Sequence, residues 1–233
     1  MIIEGAISVK AAIASGKRDI REVYISSHKK TKDFNYIRKI AREQGIAVRE
    51  LEEPDLLTVL SGKTHGGIGA DVSARREDTF TDGDILFLDG IEDPFNLGYV
   101  LRTAYAFGIA NVYLPLRDYS MMESQLLKSS AGAYDHLNIR LFRDIEELKD
   151  LKRQGYPVYT LYRGEEPEDV FTVDFPAKAI YVIGGEKRGI RREILDLSDH
   201  NLYISYGSGF RNALNAAAAA DVLLTLIRKG RVS

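Results

Sequence analysis

The chain has 233 residues, of which 45% are apolar and 28% charged, with no cysteine and a net charge of −2. That is enough apolar side chain for a packed core, and it excludes a disordered chain, a disulfide-stapled miniprotein, thiolate catalysis and cysteine-ligated metal or iron–sulfur centres. Charge is unevenly spread: residues 1–76 hold 14 Lys+Arg against 10 Asp+Glu, and residues 77–233 hold 18 against 24, so the front of the chain is the part suited to a polyanion.

In chain order, Val23–Ser26 reads as a short strand. Asp33–Gln44 reads as a helix, with Phe34, Ile37, Ile40 and Ala41 at helical spacing and Gly45 as its stop. A strand at Ile46–Val48, a helix at Pro54–Leu60 and a glycine-rich strand at Gly66–Val72 complete a small α/β domain over residues 1–76. The polar stretch 77–83, ending in a turn dipeptide, reads as a linker to a second domain at 84–233. That domain opens with Asp84–Asp89, a continuous apolar run bounded by acids, as expected of a strand buried on both faces. A helix is expected from Asn96 to Gly108 with Asn96 as its N-cap, then a strand at Asn111–Leu114. Further strands are expected near Leu137–Phe142, Val158–Leu161, Ala179–Ile183 and Asn201–Ser205, and helices at Ser120–Lys128, Ile145–Gln154 and Asn212–Arg228. Alternating strands and helices predict a parallel sheet covered on both faces. Ala216–Ala220, small and strongly helix-forming, suits close packing against a helix or another subunit.

The N-terminus lacks the basic-then-apolar pattern of an export signal. The longest apolar run, Ala213–Ile227, is broken by Asn215, Asp221 and Thr225 and is shorter than the ~20 residues that span a bilayer. A cytoplasmic protein without membrane attachment is expected.

The common catalytic templates are missing. There is no Walker loop and no Gly-x-Ser-x-Gly elbow, and the four histidines (His28, His65, His136, His200) are scattered without metal-ligand spacing, so no metal is expected. Gly207-Ser208-Gly209 lacks the third glycine of a dinucleotide fingerprint and follows the last strand rather than the first. Three stretches remain, each after a strand, where open α/β sheets bind ligands. The first is Asn96-Leu97-Gly98 leading to Arg102-Thr103-Ala104. The second is Gly184-Gly185-Glu186-Lys187-Arg188-Gly189, and the third runs from Ile204 through Gly207-Ser208-Gly209 to Ala213-Leu214-Asn215. Each alone is equally well a surface arginine, a strand-to-helix turn or an ordinary helix start.

In order and spacing the three together resemble the motifs of the SpoU (TrmH-type) branch of the SPOUT RNA methyltransferases, and Ser130-Ala131-Gly132-Ala133 matches a further stretch common there. Glu4-Gly5 and Thr64-His65-Gly66-Gly67-Ile68 resemble the N-terminal substrate-binding domain of that family, so the likeness covers essentially the whole chain. The resemblance implies an L30e-like first domain and a second domain whose parallel sheet ends in a trefoil knot, a feature the physics of short, unthreaded connections would not suggest. It implies a homodimer that uses S-adenosyl-L-methionine to methylate a ribose 2′-hydroxyl of RNA, with 23S ribosomal RNA the first expectation. The alternatives are a tRNA substrate and a non-catalytic RNA-binding protein that keeps the fold. Gly184, Gly185, Ile204 and Leu214 fall at the cofactor, and Arg102, Asn96, Glu186 and Asn215 at the chemistry. Arg102 matches the family's catalytic arginine. Because a guanidinium ordinarily keeps its proton, it acts either as a perturbed base or as a phosphate clamp beside another base. Two departures stand out: Ser205 replaces a proline, and Ala213 replaces a serine that helps place the substrate, with Ser205 or Ser208 as candidate substitutes. Lys29, Lys30 and Lys32, within a basic stretch 17–49 that also contains Arg18, are expected to contact RNA phosphates.

Overall fold

The computed structural model describes residues 1–62 and 64–231. The chain divides into two compact units, one formed by Met1–Arg76 with Tyr119–His136, the other by Glu77–Asp118 with the chain from Leu137 onward.

In the first unit β1 (Ile2–Glu4), α1 (Ala6–Ser15), β2 (Ile20–Ser26), α2 (Lys32–Glu43), β3 (Ala47–Leu51), α3 (Glu53–Val59) and β4 (Ile68–Val72) follow one another. The sheet order is β1-β4-β2-β3, with β4 antiparallel to both neighbours and β2 parallel to β3. The α2 pattern works as its sequence suggests. Thr31 caps it by accepting from the Phe34 N–H, and Phe34, Ile37 and Ala41 make its buried face. The sequence gives no such signal for α1. Val9, Ala11, Ala12 and Ile13 are buried with Ser8, the helix has no side-chain cap, and its C-cap is Gly16 in the left-handed region at φ 64°. A helix apolar nearly all round has no stripe to read.

The second unit runs β5 (Ile85–Asp89), α4 (Pro94–Ala106), β6 (Asn111–Pro115), then, after the excursion of α5 (Glu123–Ser129) and α6 (Ala133–His136) into the first unit, β7 (Asn138–Phe142) and α7 (Ile145–Arg153). It continues with β8 (Val158–Leu161), β9 (Glu168–Asp169), β10 (Ile180–Gly184), α8 (Arg192–Leu195), β11 (His200–Tyr203) and α9 (Ala216–Gly230). The seven strands lie in the order β7-β6-β5-β10-β8-β11-β9, every pair parallel. β5 lies between β6 and β10 and is buried at all five positions, as its unbroken apolar run requires. One side of the sheet is filled by Phe87, Tyr113, Phe142, Leu148, Val158, Val182, Ile190 and Ile194. Helix α9 packs on α4 and on β10, and its buried Ala216, Ala217 and Ala220 serve that approach within the chain.

Two boundaries differ from the sequence reading. Tyr119–His136, expected in the C-terminal domain, clusters with the N-terminal unit. Leu126, Leu127, Ala133 and Tyr134 are buried there, and buried ion pairs accompany that packing. The Arg18 guanidinium is fully buried between the Glu123 and Asp135 carboxylates, each at 2.7 Å, and the Lys128 ammonium lies 2.8 Å from Glu4. Arg18 is therefore no part of a basic RNA-facing surface. The stretch 77–83, expected as a loose linker, is held to the sheet. Asp78 N–H bonds the Ile139 carbonyl, Thr81 bonds Asn111, and Phe80 packs edge-on against Tyr113 at 4.6 Å.

Candidate active site

The second and third stretches singled out in the sequence meet at the carboxyl ends of β5, β10 and β11, and of the first stretch Asn96 joins them while Arg102 does not. The turn after β10 is defined by backbone crossing backbone. Gly185 N–H bonds the Asp89 carbonyl, and Gly189 N–H bonds the Gly185 carbonyl. A Cβ on Gly185 would lie 1.9 Å from the Gly90 oxygen, and one on Gly184 would lie 2.5 Å from the Gly189 carbonyl carbon. Both positions need glycine because the chain approaches itself there. The nearly buried Asp89 pins the same turn, accepting from the Arg191 N–H at 2.8 Å and from Arg191 Nε at 2.9 Å.

Between this turn and the loop that follows β11 lies a cavity of about 380 Å³. Gly184, Gly185, Glu186, Ile204 and Leu214 line it, so all four residues expected at the cofactor are gathered in one place. Ile183, Ile190 and Leu202 add apolar wall, and Arg163 and Arg211 add positive charge. Size and lining suit a flat heterocycle bound by backbone groups and apolar side chains, with cations available for a carboxylate. The sequence reading missed Arg163, Arg211 and Tyr206. Arg163 carried a usable signal, since it lies just past the end of β8, and its guanidinium stacks on the Tyr203 ring at 5.6 Å. Tyr206 fixes the far loop by accepting the Leu214 N–H at 3.2 Å.

A smaller cavity of about 100 Å³ adjoins the first, sharing Glu186 and Ala216 with it. It is lined by Asn96, whose Nδ2 lies 3.4 Å from Glu186 Oε1. Asn96 and Glu186 are thus brought together, 90 residues apart in the chain. Asn96 is not the N-cap of α4, however. Asp93 caps that helix, accepting from the Phe95 and Asn96 N–H groups, and helix formation begins at Pro94, where the fixed φ is favourable. Asn96 is free of capping and presents its carboxamide at the cavity. Asn215 has the opposite fate: the last helix starts at Ala216, not Asn212, and Asn215 caps it by accepting from the Ala218 N–H at 2.8 Å. Its carboxamide nitrogen keeps both donors.

Arg102 is exposed and lines neither cavity. It lies on the outer face of α4, in line with Phe95 and Tyr99, which are 49% and 48% exposed. Ser205 and Ser208, the candidate replacements for the hydroxyl missing at Ala213, line a neighbouring pocket with Phe210 and Arg211 rather than the first cavity. Lys29, Lys30 and Lys32 are exposed on the β2–α2 loop and the start of α2.

The sequence matches two families end to end: SpoU rRNA Methylase over residues 84–225 and RNA 2′-O ribose methyltransferase substrate binding over residues 2–77. The chain belongs to the SpoU rRNA methylase family. It is 30% identical to the 23S rRNA (guanosine-2′-O-)-methyltransferase RlmB of Xanthomonas axonopodis pv. citri, over 95% of this chain and 93% of that protein. It is 33% identical to an uncharacterized tRNA/rRNA methyltransferase of Archaeoglobus fulgidus, over 95% and 96%. Among solved structures, the SpoU methyltransferase AviRb of Streptomyces viridochromogenes in complex with AdoMet shares the fold. The TM-score is 0.80 at 22% identity, covering 100% of this chain and 91% of that one. The parallel-sheet fold with a small N-terminal domain expected from the sequence is present.

Proposed function

We propose that the protein is an S-adenosyl-L-methionine-dependent RNA methyltransferase acting on a ribose 2′-hydroxyl, with ribosomal RNA of the 23S type as its substrate. The observation that carries this is the gathering of Gly184, Gly185, Ile204 and Leu214 around one cavity, with Asn96 and Glu186 paired at its edge. Family membership and the similarity to the Xanthomonas 23S rRNA methyltransferase support the same reading.

Bound in the larger cavity, the cofactor would supply an electrophilic methyl group on a sulfonium. The protein's part is to place the ribose oxygen in line with that methyl and to handle its proton. Asn96 can orient Glu186 and donate to the substrate, and Asn215 keeps a carboxamide donor after capping α9. Arg102 has no ion-pair partner among the described residues, so its fork is available for a phosphate oxygen next to the reactive ribose. The 2′-hydroxyl is the group by which RNA is told from DNA.

Arg102 lies apart from both cavities, in a stripe of exposed aromatic residues on α4. That stripe supports a homodimer in which a second copy covers the face and completes the site around Arg102. The reading also includes a trefoil knot in the C-terminal region, an L30e-like fold for the first unit, phosphate contacts from Lys29, Lys30 and Lys32, and action in the cytoplasm, where ribosomal RNA and the cofactor meet. No helix among the described residues is long and apolar enough to cross a membrane. The test is transfer of labelled methyl to purified ribosomal RNA, with tRNA as comparison. Incorporation that survives alkaline cleavage as a 2′-O-methyl dinucleotide is expected with ribosomal RNA. Absence of incorporation into both RNAs, despite cofactor binding, favours the non-catalytic alternative.

A further inference from the structure

A second cleft, of about 510 Å³, lies wholly within the first unit, walled by the first turn of α1, the start of α2, the 64–68 loop and α5. Three features distinguish it from a surface crease. The first turn of α1, Gly5 to Ser8, forms one side, and this ten-residue helix starts at Gly5, φ 92°, without a side-chain cap. Its leading N–H groups are left to whatever occupies the cleft. Ser8 is only 3% exposed and its hydroxyl has no hydrogen-bond partner among the described residues. His65 is 8% exposed, and its Nδ1 accepts from the Gly67 N–H at 3.0 Å. That bond fixes the neutral tautomer with the proton on Nε2, and this second donor is likewise unpartnered among the described residues.

Both side chains line the cleft, so it offers their donors to a ligand that brings acceptors. It is not built for a free phosphate, because each of its carboxylates is matched by a lysine: Glu4 by Lys128 and Asp33 by Lys10, both at 2.8 Å. Apolar wall comes from Phe34, Ile68 and Leu127. Donors on one side, apolar surface on the others and balanced charge describe a site for a neutral, flat heterocycle with a carbonyl edge. The mouth carries the charge instead. Lys29 Nζ donates to the carbonyl of Gly66, a lining residue, at 3.0 Å, and Lys30 and Lys32 flank Thr31, another.

We propose that this cleft is a subsite for one unstacked base of the RNA that carries a carbonyl rather than an amino group at its C6 or C4 position, guanine or uracil, with the flanking phosphates on the lysines at its mouth. The proposal rests on RNA being the substrate and adds how one of its bases is held in the first unit. A carbonyl edge offers acceptors to Ser8, His65 and the α1 N–H groups, whereas the 6-amino group of adenine would face them with a donor.

The experiment uses the full chain with three ten-nucleotide probes, oligouridylate, oligoadenylate and an abasic ribose-phosphate strand, followed by fluorescence anisotropy. Oligouridylate is expected to bind about tenfold more tightly than the abasic strand, with oligoadenylate nearer the abasic value. Ser8→Ala, and Thr64→Trp at the exposed rim, should each remove most of that difference while leaving abasic binding and the melting curve intact. Equal binding of all three probes, or unchanged oligouridylate binding in both variants, overturns the proposal. Methyl transfer to ribosomal RNA by the unaltered chain separates the two levels. Transfer without base discrimination removes only the cleft assignment. No transfer together with no binding of any probe removes the RNA reading and the cleft with it.

Discussion

Arg102, Gly185 and Asn215 make three different kinds of residue-scale claim. Arg102 lines neither cavity, so Arg102→Ala should lower methyl transfer by about 10²-fold or more while calorimetry finds the cofactor still bound. Retained transfer would remove it from the mechanism. At Gly185 a methyl group would sit 1.9 Å from the Gly90 oxygen. Gly185→Ala should therefore destabilise the protein by about 1–3 kcal/mol and abolish cofactor binding, measured by thermal melts and calorimetry. Asn215 both caps α9 and belongs to the expected chemistry. Asn215→Ala should cost about 1 kcal/mol of stability from the lost cap. Asn215→Asp keeps the capping oxygen but loses the amide donors, so it should retain stability and lose activity. Equal activity in the Asp variant and the unaltered chain would confine Asn215 to capping. Although the sequence reading starts the last helix at Asn212 and does not foresee the cap at Asn215, Gly185 was legible in the sequence because a close backbone crossing demands glycine, and Arg102 and Asn215 were legible through the motif resemblance. Tyr206 and Arg211 were not, because their roles depend on which loops face each other across the cavity.

At the scale of elements, the best-determined feature is one the sequence hides. Arg18, Glu123 and Asp135 are all but fully buried and mutually paired, across more than a hundred residues of chain. Arg18→Met takes the closest cation from both carboxylates, leaving Asp135 the Arg75 Nε at 3.8 Å, and should destabilise the protein by about 3 kcal/mol in chemical denaturation. A much smaller loss would mean that Glu123 and Asp135 find another partner. Glu4 adds a pH dependence. Burial works against its charge, but the Lys128 ammonium and the Gly62 and Ser61 N–H groups together hold its carboxyl below its ordinary value of 4.5. A carboxyl lowered in the folded state contributes stability above that ordinary value and loses it as the pH falls through the folded one. Lys128→Met should therefore shrink the acid-side loss of stability, followed by melts from pH 7 down to pH 3. Strand and helix order in the second unit could be read from apolar runs and turn residues, since β5 is a continuous buried strand and α4 ends in glycine. Helix α1 could not, because its apolar side chains run nearly all round it and leave no polar face to read. The placement of Tyr119–His136 could not either, because ion pairs over long separations leave no local pattern.

For the whole molecule, the two chemistries are assigned to different units: cofactor and methyl transfer to the parallel-sheet unit, base and phosphate recognition to the first. RNA affinity should fall steeply with salt, and charge reversal at Lys29, Lys30 and Lys32 should flatten that dependence by about three phosphate contacts. An unchanged slope would move the phosphate contacts elsewhere. The exposed Phe95–Tyr99–Arg102 stripe predicts a dimer by light scattering at micromolar concentration, and Tyr99→Glu should shift it toward monomer with loss of activity. The most direct test of the central claim is mapping of 2′-O-methyl positions in ribosomal RNA incubated with S-adenosylmethionine and either the unaltered chain or Arg102→Ala. A single new 2′-O-methyl site with the unaltered chain, missing with the variant, is the predicted result. Methylation on a base, or at the same site and rate in both reactions, would contradict the account.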